Sequence, residues 1–285
     1  MPYVTYQSLR RTMRFLLLVL SLSVIPLAGC DKKLVWTKVR AKLEQAKLVE
    51  PPPPSPTQHD LLCDASQSST CSKVTLEATL RELLRAAAHT PNSRLRVWSL
   101  GANVAATKVM GEVITPTITS RSRRAREAQL EQWQLSSREN LLRIMEPLFR
   151  ATPARRSPLA ESLTKIALAE GHGLARIIVA ITDAREVATA NFECSKRFPT
   201  REAWAATLHK GGILRPGLLA GMTVVLAYVN GDSSASCPIT ISKQVQLFDL
   251  WHYVLATAGA GWIMTSDLPS FYPELKVTVG KKEKK

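Results

Sequence analysis

The 285-residue sequence predicts an α/β domain: a doubly wound, mostly parallel six-stranded sheet flanked by helices. Short apolar runs of strand length alternate with longer stretches whose apolar residues recur at helical spacing. The run Ile177-Ile178-Val179-Ala180-Ile181 is apolar at every position, as a central parallel strand covered on both faces requires. Crossover helices joining such strands place helices on both sides of the sheet.

The elements follow in order. Leu61-Leu62-Cys63 is a short strand. Lys73 to His89 is a helix with Leu76, Leu80, Leu83 and Leu84 on one side. Leu95 to Leu100 and Ala106 to Ile114 are strands around the turn signal Gly101-Ala102-Asn103, so they form a hairpin. Arg121 to Phe149 is a long charged helix, broken near Ser136-Ser137. Leu159 to Glu170 is a helix opened by Ser157-Pro158, with the hydroxyl at the cap and proline in the first turn. After the Ile177 strand, Arg201 to Lys210 is a helix that Gly211-Gly212 ends. Met222 to Val229 is the next buried strand, Ser242 to Ala258 a helix ending at Gly259, and Trp262 to Met264 the start of the last strand.

The N-terminus carries a different message. Arg10, Arg11 and Arg14 precede an apolar run from Phe15 to Pro26, followed by Leu27-Ala28-Gly29-Cys30. A run of about a dozen residues is short for a membrane span and has the layout of an export signal. The tetrapeptide resembles the bacterial lipobox. The resemblance implies diacylation of the Cys30 sulfur, palmitate among the acyl chains, and cleavage just before it. An ordinary signal peptide or an uncleaved anchor helix are the alternatives. Asp31 resembles the enterobacterial signal for retention at the inner membrane, so the expected location is the cell envelope, on the periplasmic face of the inner membrane or at the outer membrane. Residues 1–29 are then the signal and 30–57 a tether. Within the tether, Pro51-Pro52-Pro53-Pro54-Ser55-Pro56 favours a stiff polyproline rod, a simple disordered linker being the other possibility. Residues 58–267 form the folded domain and 268–285 a basic tail.

Removing residues 1–29 leaves 256 of the 285 residues, enough for one well-buried domain or two small ones. The three signal arginines leave with it, taking the net charge from +15 to +12. A basic surface suits anionic partners, but much of the excess is scattered or lies in Arg121 to Arg126 and Lys281 to Lys285, where solvated faces and frayed ends are the plainer explanation. No specific nucleic-acid partner is expected. Beyond Cys30, the cysteines Cys63, Cys71, Cys194 and Cys237 form an even set, so an oxidising compartment predicts two disulfides with three possible pairings. No CxxC or His-rich pattern accompanies them, which argues against zinc. Trp36, Trp98, Trp133, Trp204, Trp251 and Trp262 lie on separate elements and read as core rather than sugar platforms.

In an open α/β sheet, ligands bind beyond the carboxyl ends of the strands. There the sequence places Asp64-Ala65-Ser66-Gln67-Ser68, then Ser157-Pro158-Leu159, then Thr182-Asp183-Ala184. Hydroxyls with two carboxylates make an all-oxygen set that suits a small hard cation such as Mg2+. This pattern resembles the von Willebrand factor type A domain and its metal-ion-dependent adhesion site. The resemblance covers about residues 58–267 and includes the early hairpin, since the family's third strand is a short antiparallel edge. It implies that Asp64, Ser66, Ser68, Ser157 and Asp183 form the metal site, Ser157 standing where the family has threonine. It also implies that the cation binds a protein ligand with an exposed carboxylate. Two departures stand out. Ser157 lacks the methyl that stiffens a threonine rotamer, and Ala184 replaces a residue that allows positive φ. In a domain that keeps the fold without metal, Ser66, Ser68 and Ser157 act as helix caps instead. Arg185 and Glu186 flank the mouth of the site, or are solvated surface. In the family's strand order the strands before Cys194 and Cys237 are neighbours, so the resemblance implies that these two can pair. Cys63 and Cys71 bracket the metal loop, and a bridge between them would pin it; otherwise Cys63 is a small buried hydrophobe.

No GxSxG, HExxH, P-loop or GxGxxG is present, and no general base is evident, so no enzymatic activity is expected. The expected function is a membrane-anchored lipoprotein that recognises a protein ligand through a divalent cation. The alternative is a metal-independent scaffold component of an envelope or transfer machine.

Overall fold

The computed structural model describes residues 55–64, 66, 71–120, 122–151, 157–171, 173–185, 192, 197–228 and 240–265. The signal, Cys30, most of the tether, Ser68, Glu186, Cys194, Cys237 and the basic tail lie outside the described residues.

The chain runs β1 (Thr57–Asp64), α1 (Lys73–Ala87), β2 (Arg94–Leu100), β3 (Lys108–Ile114), α2 (Arg123–Arg150), α3 (Leu159–Leu168), β4 (Ala175–Thr182), α4 (Arg201–Lys210), β5 (Met222–Tyr228), α5 (Ile241–Thr257) and β6 (Gly261–Thr265). The strands form one sheet in the order β3-β2-β1-β4-β5-β6. All neighbours are parallel except β2 and β3, which pair antiparallel with a register shift at Val97/Trp98. The predicted hairpin therefore forms the edge that the family resemblance implies. β1 and β4 are central, so their carboxyl ends share one rim, with Cys63 paired to Ile181.

Period-2 alternation along the central strands builds two cores. Leu62, Ile178, Ala180, Val224 and Leu226 face α3, α4 and α5, where Leu163, Leu208, Trp204 and Trp251 complete the cluster. Leu61, Val97, Val179, Ile181 and Val225 face α1 and α2, packing on Leu76, Leu80, Leu84, Leu141 and Met145. Trp98, Trp204 and Trp251 are buried, and Trp204 meets Trp251 edge-on at 5.0 Å. Trp133 and Trp262 pack on the two cores partly buried; Trp36 lies outside the described residues.

Four helices open on a hydroxyl that accepts a hydrogen bond from the first turn: Ser72 for α1, Ser122 for α2, Thr200 for α4 and Thr240 for α5. Gly211 ends α4, and Gly212 turns the chain with φ +74°. Helix α2 is unbroken, contrary to the predicted interruption at Ser136-Ser137. Ser136 Oγ donates to the Trp133 carbonyl and Ser137 is buried, so neither hydroxyl competes with the helix from outside. At Gly111 of β3 a Cβ would lie 3.0 Å from Leu141 Cδ2 and 3.2 Å from Ile144 Cδ1, so glycine lets α2 approach the edge strand. Among the described residues, no helix is long and apolar enough to cross a membrane.

Candidate functional site

At the carboxyl ends of β1 and β4 the structure brings Ser66 and Ser157 to Asp64, with Asp183 at the end of β4. Asp64 is the last residue of β1 and fully buried. Its Oδ1 accepts from the Ser66 amide at 3.0 Å. Its Oδ2 accepts from Ser157 Oγ at 2.9 Å and from Thr182 Oγ1 at 2.7 Å. These donors are neutral, so hydrogen bonding satisfies the carboxylate without cancelling its charge. Ser66 is 4% exposed, and its Oγ makes no hydrogen bond among the described residues. A buried hydroxyl in that state is an oxygen available to a ligand.

Ser157 corrects one alternative. Its hydroxyl does not cap α3, whose N-cap is Pro158 without a side-chain hydrogen bond. The oxygen that could serve as the cap is turned to Asp64 instead. Ser66 is likewise no cap: α1 is capped by Ser72. Thr182 is the residue that sequence reasoning missed. It bridges the site by donating to Asp64 while accepting from the Ala184 amide at 3.0 Å.

Asp183 follows directly at the end of β4 and is fully buried. Its Oδ1 accepts from the Arg185 amide at 3.1 Å, and its Oδ2 lies 3.3 Å from Arg185 Nε. The departure in this loop takes a definite form. Ala184 adopts φ +60°, so the backbone runs as a glycine would run despite the methyl group. The turn is held because the Ala184 side chain is fully buried and its carbonyl accepts from Trp251 Nε1 at 2.7 Å. Arg185 is 4% exposed, not a solvated residue at an open mouth.

Cys63 and Cys71 form a disulfide, joining the end of β1 to the residue before the Ser72 cap and pinning the loop between them. Cys63 is buried as well, so the bridge and the core position coincide. Ser68 and the pair Cys194 and Cys237 lie outside the described residues.

The donor chemistry fits a hard divalent cation: buried carboxylates on adjacent strand ends, neutral hydroxyls, and one hydroxyl oxygen with no hydrogen bond. Among the described residues, no three His, Cys, Asp or Glu side chains gather as a metal cluster, so hydroxyls have to complete any such shell.

A second polar network lies near the opposite end of β1. Asp60, fully buried, accepts from Arg96 Nε at 2.7 Å and Trp98 Nε1 at 2.9 Å on Oδ1. On Oδ2 it accepts from Arg176 NH2 at 2.8 Å and Gln58 Nε2 at 2.9 Å. Burial alone would raise the Asp60 pKa, but the Arg96 hydrogen bond, the Arg176 charge and the hydrogen bonds from Arg176 and Gln58 outweigh it and hold the carboxyl below its ordinary value. Arg176 also donates to the Ile166, Ala167 and Ala169 carbonyls at the end of α3. This network orders β1, β2, β4 and α3 against one another and so positions the strand ends at the other rim.

No protein-family model and no curated protein sequence matches the chain. Among solved structures it is similar to the pilus adhesin SpaC from Lactobacillus rhamnosus GG, with TM-score 0.43 and 9% identity over 79% of this chain and 30% of that one. It is similar to the PilB minor pilin from Streptococcus sanguinis, with TM-score 0.43 and 12% identity over 81% and 63%. A von Willebrand factor type A protein from Catenulispora acidiphila gives TM-score 0.35 and 10% identity over 79% and 42%. The chain spans less than two thirds of each of these structures. Identities and TM-scores of this size carry no functional inference.

Proposed function

We propose that this chain is an exported, lipid-anchored recognition protein whose β1/β4 rim binds a carboxylate-bearing protein ligand through a divalent cation. The observation that carries the proposal is the convergence of Ser66, Ser157 and Thr182 on buried Asp64, with Asp183 at the neighbouring strand end. Asp64, Ser66, Ser157 and Asp183 would hold the ion, and Ser68 belongs to the same motif. A bound cation supplies a Lewis-acidic position that a partner's Asp or Glu can complete. The protein's own part is to keep a hydroxyl oriented: Asp64 accepts the hydrogen bond from Ser157 Oγ and leaves that oxygen's lone pairs to face a ligand. The Cys30 acyl chains would keep this rim at the envelope membrane.

Calorimetry with Mg2+ on the full chain in detergent tests the proposal. Saturable binding in the wild type should vanish in Asp64→Ala and Asp183→Ala. Ser66→Ala is the cleaner variant, because its hydroxyl makes no hydrogen bond to lose; binding should fall while stability stays. No heat in the wild type rejects the metal. The pairing of Asp183 with Arg185 favours a second reading, a scaffold domain that docks its partner without metal.

A further inference from the structure

We propose that Arg185 is a built-in counter-cation that competes with the divalent metal for Asp183 and thereby sets how tightly the rim holds that metal. The inference rests on the metal reading above. One residue engages Asp183 through both carboxylate oxygens, its backbone amide on Oδ1 and its Nε near Oδ2. Both side chains are withdrawn from solvent, at 5% exposure or less. In such a place a carboxylate needs a compensating charge, and the guanidinium provides it. The grip depends on local backbone geometry. Ala184 at φ +60° brings residue 185 back over residue 183, and the Trp251 hydrogen bond to the Ala184 carbonyl fixes that turn to the core. Among the described residues Asp64 has no such cation; its donors are an amide and two hydroxyls. The rim is thus half neutralised from within. A metal drawn by Asp64 meets a positive neighbour already seated on Asp183, and like charge lowers its affinity. A chain built this way binds its ion weakly until something displaces the guanidinium. A partner's carboxylate has the chemistry to do so, since it can pair with Arg185 and complete the metal shell in one docking event.

The test compares Mg2+ affinity of the full chain as wild type, Arg185→Gln and Arg185→Lys, with melting temperature in chelator as the second readout. Arg185→Gln should bind Mg2+ at least tenfold more tightly than wild type, melt lower in chelator, and recover with Mg2+. Arg185→Lys keeps the charge and should stay near wild-type affinity. The double variant Arg185→Gln/Asp183→Asn should melt near wild type and show no recovery with Mg2+. Equal affinity in wild type and Arg185→Gln overturns the role of Arg185 and leaves the metal reading standing. No Mg2+ heat in any variant overturns both. A double variant as unstable as Arg185→Gln alone overturns the assignment too, because the guanidinium would then serve the core rather than Asp183.

Discussion

Replacing Asp60 by asparagine isolates the electrostatic dependence of the buried Asp60–Arg96–Arg176 network. The change keeps the shape and removes one negative charge from between Arg96 and Arg176, whose side chains are 8% and 5% exposed. Both guanidiniums keep some donors satisfied, Arg96 on the Glu170 carbonyl and Arg176 on the end of α3, so neither can swing out to water without breaking further bonds. The new amide also turns an NH2 toward at least one cluster of donors. Removing one partner of a buried ion pair costs about 3–5 kcal/mol, and that is the loss expected in urea unfolding at pH 7. Replacing Asp60, Arg96 and Arg176 together by apolar residues of similar volume should recover most of it. Acid should expose the same dependence. The folded-state pKa lies below the ordinary value, so the contribution is full above the unfolded carboxylate pKa and is lost as pH falls through the lower, folded one. A loss under about 1 kcal/mol for Asp60→Asn would refute the idea that this carboxylate holds two buried cations in place.

Burial pushes His59 down to about 4 from 6.5, the Asp60 charge drawing it part of the way back. Folded His59 is therefore neutral across a window where the unfolded chain protonates, so stability falls as pH drops from 6.5 toward 4, at about 1.4 kcal/mol per pH unit. Unfolding free energies at pH 7 and pH 5 should differ by roughly 2 kcal/mol more in wild type than in His59→Gln. The Cys63–Cys71 bridge closes a separation of 8 residues. Chain-entropy arithmetic gives such a loop about 2.5 kcal/mol, which Cys63→Ala/Cys71→Ala should lose in urea melts. Trp251→Phe removes the donor to the buried Ala184 carbonyl. It should cost about 1–3 kcal/mol and, by loosening the grip of Arg185 on Asp183, tighten Mg2+ binding, a rise that calorimetry on the same variant reads directly.

Much of this fold was legible because its signals are local. The Ile177 run could only be a strand buried on both faces, and β4 is that strand. Leu76, Leu80, Leu83 and Leu84 share one helical face, and all four lie in one core cluster. The DxSxS spacing was visible too, because a strand end followed by a tight turn brings residues two apart onto one carboxylate, as Ser66 is brought to Asp64. What escaped notice was long-range. Thr182 looked like the last residue of a strand, and its bond to Asp64 spans 118 positions in sequence. Arg185 read as flanking the mouth of the site or as solvated surface, because nothing nearby announces that Ala184 would enter the left-handed region; a buried Trp251 on α5 holds it there. Asp60, Arg96 and Arg176 each look like lone charges at the start of apolar strands. Only the register, which pairs Asp60 with Arg96 and sets Arg176 beside Gln58, brings them together. That signal existed in the sequence, since three charges near the entry of three buried strands need one another, but reading it requires the strand order.

The two carboxylates of β1 make the case for a cation at one end and against it at the other. Asp60 and Asp64 are four residues apart on a strand and so point to the same face, with Leu62 between them in the α3–α5 core. Both are fully buried. Asp60 is shared by two guanidiniums, an excess of positive charge that leaves a metal ion nothing to neutralise. Asp64 receives hydroxyls and an amide, which orient it but leave its full charge in place. A buried carboxylate in that condition attracts a positive partner. With Asp183 paired to Arg185, Asp64 is the rim carboxylate with no cationic partner among the described residues. That remaining charge is what a divalent ion would answer, and Ser66 Oγ, buried and without a hydrogen bond among the described residues, stands two residues from it. Asp64→Asn should lose the rise in melting temperature that Mg2+ gives the wild type, and an equal rise in both would refute the site.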